Sequence, residues 1–188
     1  MAKSGYHHGD LRATILAAAA DQIATDGVDA VSLRELARRA GVSHAAPAHH
    51  FGDRAGVLTA LATEGFELLA AELTEAGADF REVAVAYIRF ARKHPGHFDV
   101  MFRHSLLRAD DPRLHEARAR SASALRSGVS VIHPADVERQ QATQLAAWSL
   151  VHGFAALWRE GALDNSSLAA GADPESLARR MLATVHFD

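Results

Sequence analysis

The chain has 188 residues, 20 Lys/Arg against 23 Asp/Glu for a formal net charge of −3, and no Cys. That length buries a sizeable core, as one large domain or as a small head on a larger body; the missing Cys excludes disulfides, thiolate metal sites and a Cys nucleophile. No apolar run approaches the roughly 20 residues that cross a bilayer, and the polar start, Met1 to Asp10, sets a cytoplasmic location as the expectation.

Ala supplies 40 residues and Pro only 5, with few β-branched side chains. This composition points to an all-α fold, and the stop and start signals divide it into about nine helices. Leu11, Ile15, Ala18, Ala19, Gln22 and Ile23 recur at helical spacing, and Gly27 stands where a glycine ends a helix. Ser32-Leu33-Arg34-Glu35 has the form of a capping box, in which Ser32 accepts from first-turn amides and Glu35 reaches back to the cap. Leu33, Leu36, Ala37 and Ala40 give this second helix its apolar stripe. Gly41 stops it, and Ser43 is placed to cap a third helix almost at once. Asp53 caps a long fourth helix with Leu58, Leu61, Ala62, Gly65, Leu68, Leu69 and Leu73 as its buried stripe. Asp79-Phe80-Arg81-Glu82, a capping box with Asp in place of Ser/Thr, opens a fifth, carrying Phe80, Val83, Tyr87, Phe90 and Ala91 on one face, and His94-Pro95-Gly96 ends it. A short segment with Phe98, Met101 and Phe102 follows. Asp111-Pro112 and Asp173-Pro174 each read as a cap with Pro at the first helical position, opening helices seven and nine. Between them, Pro134 to Glu160 is apolar on two sides. One side holds Val137, Gln141, Leu145, Trp148 and His152, the other Ala147, Leu150, Val151, Phe154 and Trp158. One of these faces a core; the other needs a partner.

Residues 1–58 hold six Lys/Arg (Lys3, Arg12, Arg34, Arg38, Arg39, Arg54) and six Asp/Glu, so this stretch lacks a basic footprint for nucleic acid. Any DNA contact must come from local geometry, helix N-termini and dimer avidity. The order of residues suggests such a geometry. Ile15 to Gly27, then Leu33-Arg34-Glu35-Leu36-Ala37-Arg38-Arg39-Ala40-Gly41-Val42-Ser43, then His50-Phe51-Gly52-Asp53-Arg54 and Leu58 resemble the N-terminal domain of the tetracycline-repressor family of regulators. The resemblance implies a DNA-binding domain over 8–68 with its helix-turn-helix within 33–52, and a helical effector-binding and dimerisation domain over 69–188. It implies a homodimer on double-stranded operator DNA, released by a small-molecule effector, with no enzymatic activity and no cofactor. Effector, operator, and repression against activation stay open.

The same resemblance implies that the Ser43–His49 helix presents side chains to base edges, with Ser43 and His44 at amides that favour phosphate and Arg34 beside the backbone path. His49 and His50 would donate to phosphate from neutral rings, and Arg54 would clamp the DNA backbone. Lys3, Tyr6, His7 and His8 would form an arm over the adjacent groove. Ala45-Ala46-Pro47-Ala48 departs from the family, which often has Thr and Tyr here. Ala45, Ala46 and Ala48 would meet thymine methyls instead, and Pro47 is tolerated near a helix start because its missing N–H would be unpaired there.

His94-Pro95-Gly96-His97 onward and Trp148 to Phe154 resemble, more loosely, the family's regulatory subtype named for a Trp-His-Gly signature, with Val151 in the Trp place. Phe98, Met101, Phe102, Trp148, His152 and Phe154 are candidates for an effector pocket, and equally candidates for plain core. The 12 His residues invite a metal reading, yet Pro95-Gly96 interrupts the helix that would align His94 with His97, and no H-E-x-x-H occurs. No metal site is expected. Neither a G-x-S-x-G elbow nor a Gly-rich phosphate loop supports an enzyme.

Overall fold

A computed structural model describes residues 8–130, 136–167 and 169–185, which form nine α-helices, two 3-10 turns and their connections, with no strand. Lys3, Tyr6, His7, the His8 side chain and Pro134 lie outside what is described. The chain divides into two compact units. Among the described residues, those up to Gly65 with His94–His115 form one, and Phe66–Lys93 with those from Glu116 onward form the other.

In the first unit, α1 (His8–Asp26) ends at Gly27, whose φ of +83° is open to glycine and whose N–H returns to the Ile23 carbonyl at 3.0 Å. A 3-10 turn, Val28–Ala30, leads into α2 (Leu33–Ala40). Gln22 is 2% exposed, and its amide donates to the Ala30 carbonyl at 2.9 Å, which ties this turn to α1. The helices α3 (Ala46–Phe51) and α4 (Arg54–Glu75) follow. The α4 stripe is as expected except that Leu68 is only half-buried, while Thr59 and Thr63 go inside by donating their hydroxyls to the Ala55 and Thr59 carbonyls at 2.7 and 2.8 Å. The segment after the fifth helix, α5 (Phe80–Lys93), is itself a helix, α6 (Pro95–Met101), with Pro95 in its first turn. It lies on α1 so closely that a Cβ at Gly96 would stand 2.1 Å from the Ala20 carbonyl oxygen. Phe98, Val100 and Met101 bury their side chains in consequence.

In the second unit, α5 (Phe80–Lys93) is the central element: every residue from Val83 to Ile88, together with Phe90 and Ala91, is buried. Packed on it are α8 (Val137–Arg159) and α9 (Pro174–Ala183), and α7 (Pro112–Ser130) continues into this unit from its first turn. The aspartate caps form as the sequence predicts. Asp79, Asp111 and Asp173 accept from the amides of Arg81, Leu114 and Ser176 at 2.8, 3.0 and 2.9 Å. Glu82 does not reach back to its cap; it pairs with Arg179, while Glu175 takes Arg89 and Arg92, so α5 and α9 are joined by ion pairs. On α8 the face with Ala147, Val151 and Phe154 is buried, and Val137, Leu145 and Trp148 are left exposed.

Candidate nucleic-acid interface

The local sequence sets the turn between α2 and α3 through main-chain bonds. Ser32 Oγ accepts from the Glu35 amide at 3.3 Å, as a cap should. The other half of the expected capping box is absent: Glu35 turns outward and takes Arg38 through two bonds, at 2.9 and 2.6 Å, and Arg39 at 2.9 Å. Those guanidinium bonds, Arg38 first, lower the Glu35 carboxyl to about 2. Arg39 also reaches Asp26, so the basic pair at the end of α2 is neutralised by carboxylates of the head itself.

At the other end of α2, Gly41 adopts the left-handed conformation at φ +65°, and the Val42 amide returns to the Ala37 carbonyl at 3.0 Å. Ser43 does not cap α3. The Ser43 carbonyl accepts the Ala46 amide at 3.0 Å, a turn intervenes at His44-Ala45, and α3 starts at Ala46 without a side-chain cap. The third helix is therefore six residues long.

These bonds divide the expected contact residues into two groups. Arg34, Ser43, His44, Ala45, Ala48 and His49 are exposed, and His50 is half-buried. Ala46 and Pro47 are buried in the head and hold α3 in place, so their methyl and ring are turned from any base edge. Arg34, Arg38 and His44, with Ser32 and Glu35, line a cleft of 220 Å³ beside the start of α2. Arg54 is half-buried and bonded within the head: Nε donates to the Val31 carbonyl at 3.0 Å and Nη2 to the Val28 carbonyl at 2.8 Å. Its charge thus holds α4 against the 3-10 turn.

The six effector-pocket candidates are split between the units. Phe98, Met101 and Phe102 belong to the unit that contains the head, with Phe98 stacked edge-on to Phe102 at 5.5 Å. Trp148, His152 and Phe154 belong to the other. There the buried Tyr87 hydroxyl accepts Trp148 Nε1–H at 3.3 Å and shares a hydrogen bond of 2.9 Å with His152 Nδ1. Burial pushes the Tyr87 phenol well up and the His152 imidazole down. A groove of 770 Å³ in the same unit is lined by other residues, among them Glu67, Ala70 and Thr74 of α4 and Arg120, Ser123 and Ser127 of α7. The small side chains at helical spacing on these two helices are the sequence signal that would have pointed to it.

Family comparisons divide the chain by sequence, and they place His94–His115, which packs in the unit of the head, within the C-terminal match. The model for bacterial regulatory proteins of the tetR family matches residues 15–61, and that for the tetracyclin repressor-like C-terminal domain matches residues 80–185. No curated protein matches. Among solved structures, a protein of unknown function from Rhodococcus sp. RHA1 is 35% identical at a TM-score of 0.77, covering 97% of this chain and 96% of that one. A bacterial regulatory protein in the tetR family from Rhodococcus RHA1 is 22% identical at 0.67, covering 92% and 93% of the two chains. The TetR family transcriptional regulator PfmR from Thermus thermophilus is 23% identical at 0.65, covering 89% and 93%. These last two likenesses show the fold. With a model of the family matched over more than half of the 188 residues, this chain belongs to the tetR family of bacterial regulatory proteins.

Proposed function

We propose that the protein is a sequence-specific, DNA-binding transcriptional regulator, a homodimer that represses from operator DNA until a small-molecule effector releases it. The observation that carries this reading is the exposed set on and before α3: Arg34, Ser43, His44, Ala45, Ala48 and His49 on one helix-turn-helix, with Ala46 and Pro47 anchoring it from below. Arg34 and the His44 and His49 rings are the groups that would meet phosphate. Ala45 and Ala48 would allow close approach and methyl packing on thymine. Arg38 and Arg39 contribute little attraction because Glu35 and Asp26 already neutralise them. The loose likeness of the body to the Trp-His-Gly subtype, and the apolar and small-residue surfaces in it, support an effector of modest polarity.

Selection of duplexes from a random library by the full-length protein tests this. An enriched duplex should bind about 10³-fold or more tightly than a scrambled duplex of the same composition, with log affinity falling linearly in log salt. Binding no tighter than to scrambled DNA at every salt concentration would overturn the reading.

A further inference from the structure

A recognition helix of six residues has too few internal bonds to fix its own direction, so its aim depends on what grips its ends. The start is gripped by the Ser43 carbonyl, which accepts the Ala46 amide at 3.0 Å. The end is gripped by a residue from far along the chain. Arg108 Nη2 donates to the carbonyl of Phe51, the last residue of α3, at 3.3 Å and to Asp53 Oδ1, the cap of α4, at 2.9 Å. Its own main-chain N–H donates to Thr59 Oγ1 at 2.9 Å, and Thr59 is only 2% exposed.

The surroundings are shaped for that guanidinium. The guanidinium packs against two glycines: a Cβ at Gly52 would stand 3.2 Å from Nη2 and one at Gly56 3.0 Å from it, although a Gly56 Cβ would meet the Phe51 carbonyl oxygen first, at 1.9 Å, and Gly52 has a φ of +80° that itself favours glycine. Asp53 is held ready by the Gly56 amide, which bonds the same Oδ1 at 2.8 Å; that amide first, and then Arg108, keep the carboxyl below its ordinary range. From the other side, the Arg12 guanidinium lies over the Phe51 ring at 5.2 Å. An ion pair as exposed as Arg108–Asp53 adds little stability by itself. What this one can do is direct α3.

We infer that Arg108 is a positioning residue for operator discrimination: through Phe51 and Asp53 it sets the angle at which α3 meets the bases, without touching DNA. The inference rests on the head being the DNA-reading element. Nothing local to α3 announces it, since Arg108 follows Asp53 by 55 positions.

The test uses the full-length protein with a library-selected duplex and a scrambled duplex of equal composition. Arg108→Ala should weaken the selected duplex about tenfold to a hundredfold, leave the scrambled duplex within about twofold, and leave the salt slope unchanged. Arg108→Lys, which keeps a donor for the Phe51 carbonyl and Asp53, should restore part of the preference. Thr59→Val removes the acceptor for the Arg108 amide and keeps the guanidinium; it should shift the preference the same way, and it gives a second reading if the alanine variant melts early. Two results would overturn the proposal: an unchanged ratio between the duplexes, or equal weakening of both with a salt slope reduced by about one, which would make Arg108 a phosphate contact. Failure of the wild-type protein to enrich any duplex would instead overturn the DNA-binding reading on which this inference depends.

Discussion

Two side chains show how placement decides a role that residue type leaves open. Arg54 follows His50-Phe51-Gly52-Asp53 at the place where the resemblance implies a DNA clamp, yet its guanidinium spans the Val28 and Val31 carbonyls. Removing it takes the donor from the Val31 carbonyl and leaves the Val28 carbonyl with the Val31 amide at 3.2 Å. Arg54→Ala should therefore lower the unfolding free energy by about 1–2 kcal/mol in urea, with the salt slope of DNA binding unchanged. A variant of full stability and a shallower salt slope would return Arg54 to the phosphate. His152 is the second case. Burial holds its imidazole below the ordinary 6.5, so the unfolded chain takes up a proton at pH values where the folded chain does not. Its contribution to stability is whole above 6.5 and is lost as pH falls from there toward the lowered value. His152→Asn keeps a hydrogen-bonding group for the Tyr87 hydroxyl and cannot titrate; its stability should fall less than that of the wild type between pH 6.5 and 5. Parallel curves would show that other groups carry the pH dependence.

Among the elements, two helical glycines make opposite predictions. Gly96 sits where α6 meets the backbone of α1, and any Cβ there collides with the Ala20 carbonyl. Gly96→Ala should destabilise by about 1–3 kcal/mol because main chain, not a flexible side chain, must move. Gly153, within α8, has nothing within 4 Å of its would-be Cβ, so Gly153→Ala should stabilise by up to about 1 kcal/mol through helix propensity. Thermal melting of both variants checks the pair, and a stable Gly96→Ala protein would mean that α6 does not sit on α1 as described. What the sequence makes legible follows the same division between local and distant causes. Caps at Ser32, Asp53, Asp79, Asp111 and Asp173, and the glycine stops at 27 and 41, are set within a few residues and form where predicted. The carboxylates Glu35 and Glu82 were open to local or distant partners, and charged partners won. Ser43 lost its capping role to main-chain bonds around Gly41 and His44, which shorten α3 to six residues. Arg54 and Arg108 depend on contacts across 23 to 57 positions, beyond the reach of any local pattern.

For the whole molecule, the question left by α8 is what covers its second face. Val137, Leu145 and Trp148 fall on one side of this helix and are 66%, 60% and 37% exposed, while Ala147, Val151 and Phe154 on an adjacent face are buried. Apolar side chains aligned over so much of a helix suit an interface between identical subunits, where the same stripe meets itself across a two-fold axis. On the proposed dimeric reading, avidity would matter more than for a basic head, because residues 1–58 carry no net charge to attract DNA. Leu145→Glu sets like charges against each other in such an interface and leaves the monomer core untouched, so the helical circular dichroism should be retained. Sedimentation equilibrium should then show a shift from dimer to monomer, and affinity for a two-half-site duplex should fall about 10²- to 10⁴-fold as binding of the second head ceases to be intramolecular. A variant that stays dimeric and binds as the wild type does would place the subunit interface elsewhere; one that turns monomeric with affinity intact would show that a single head suffices for operator binding.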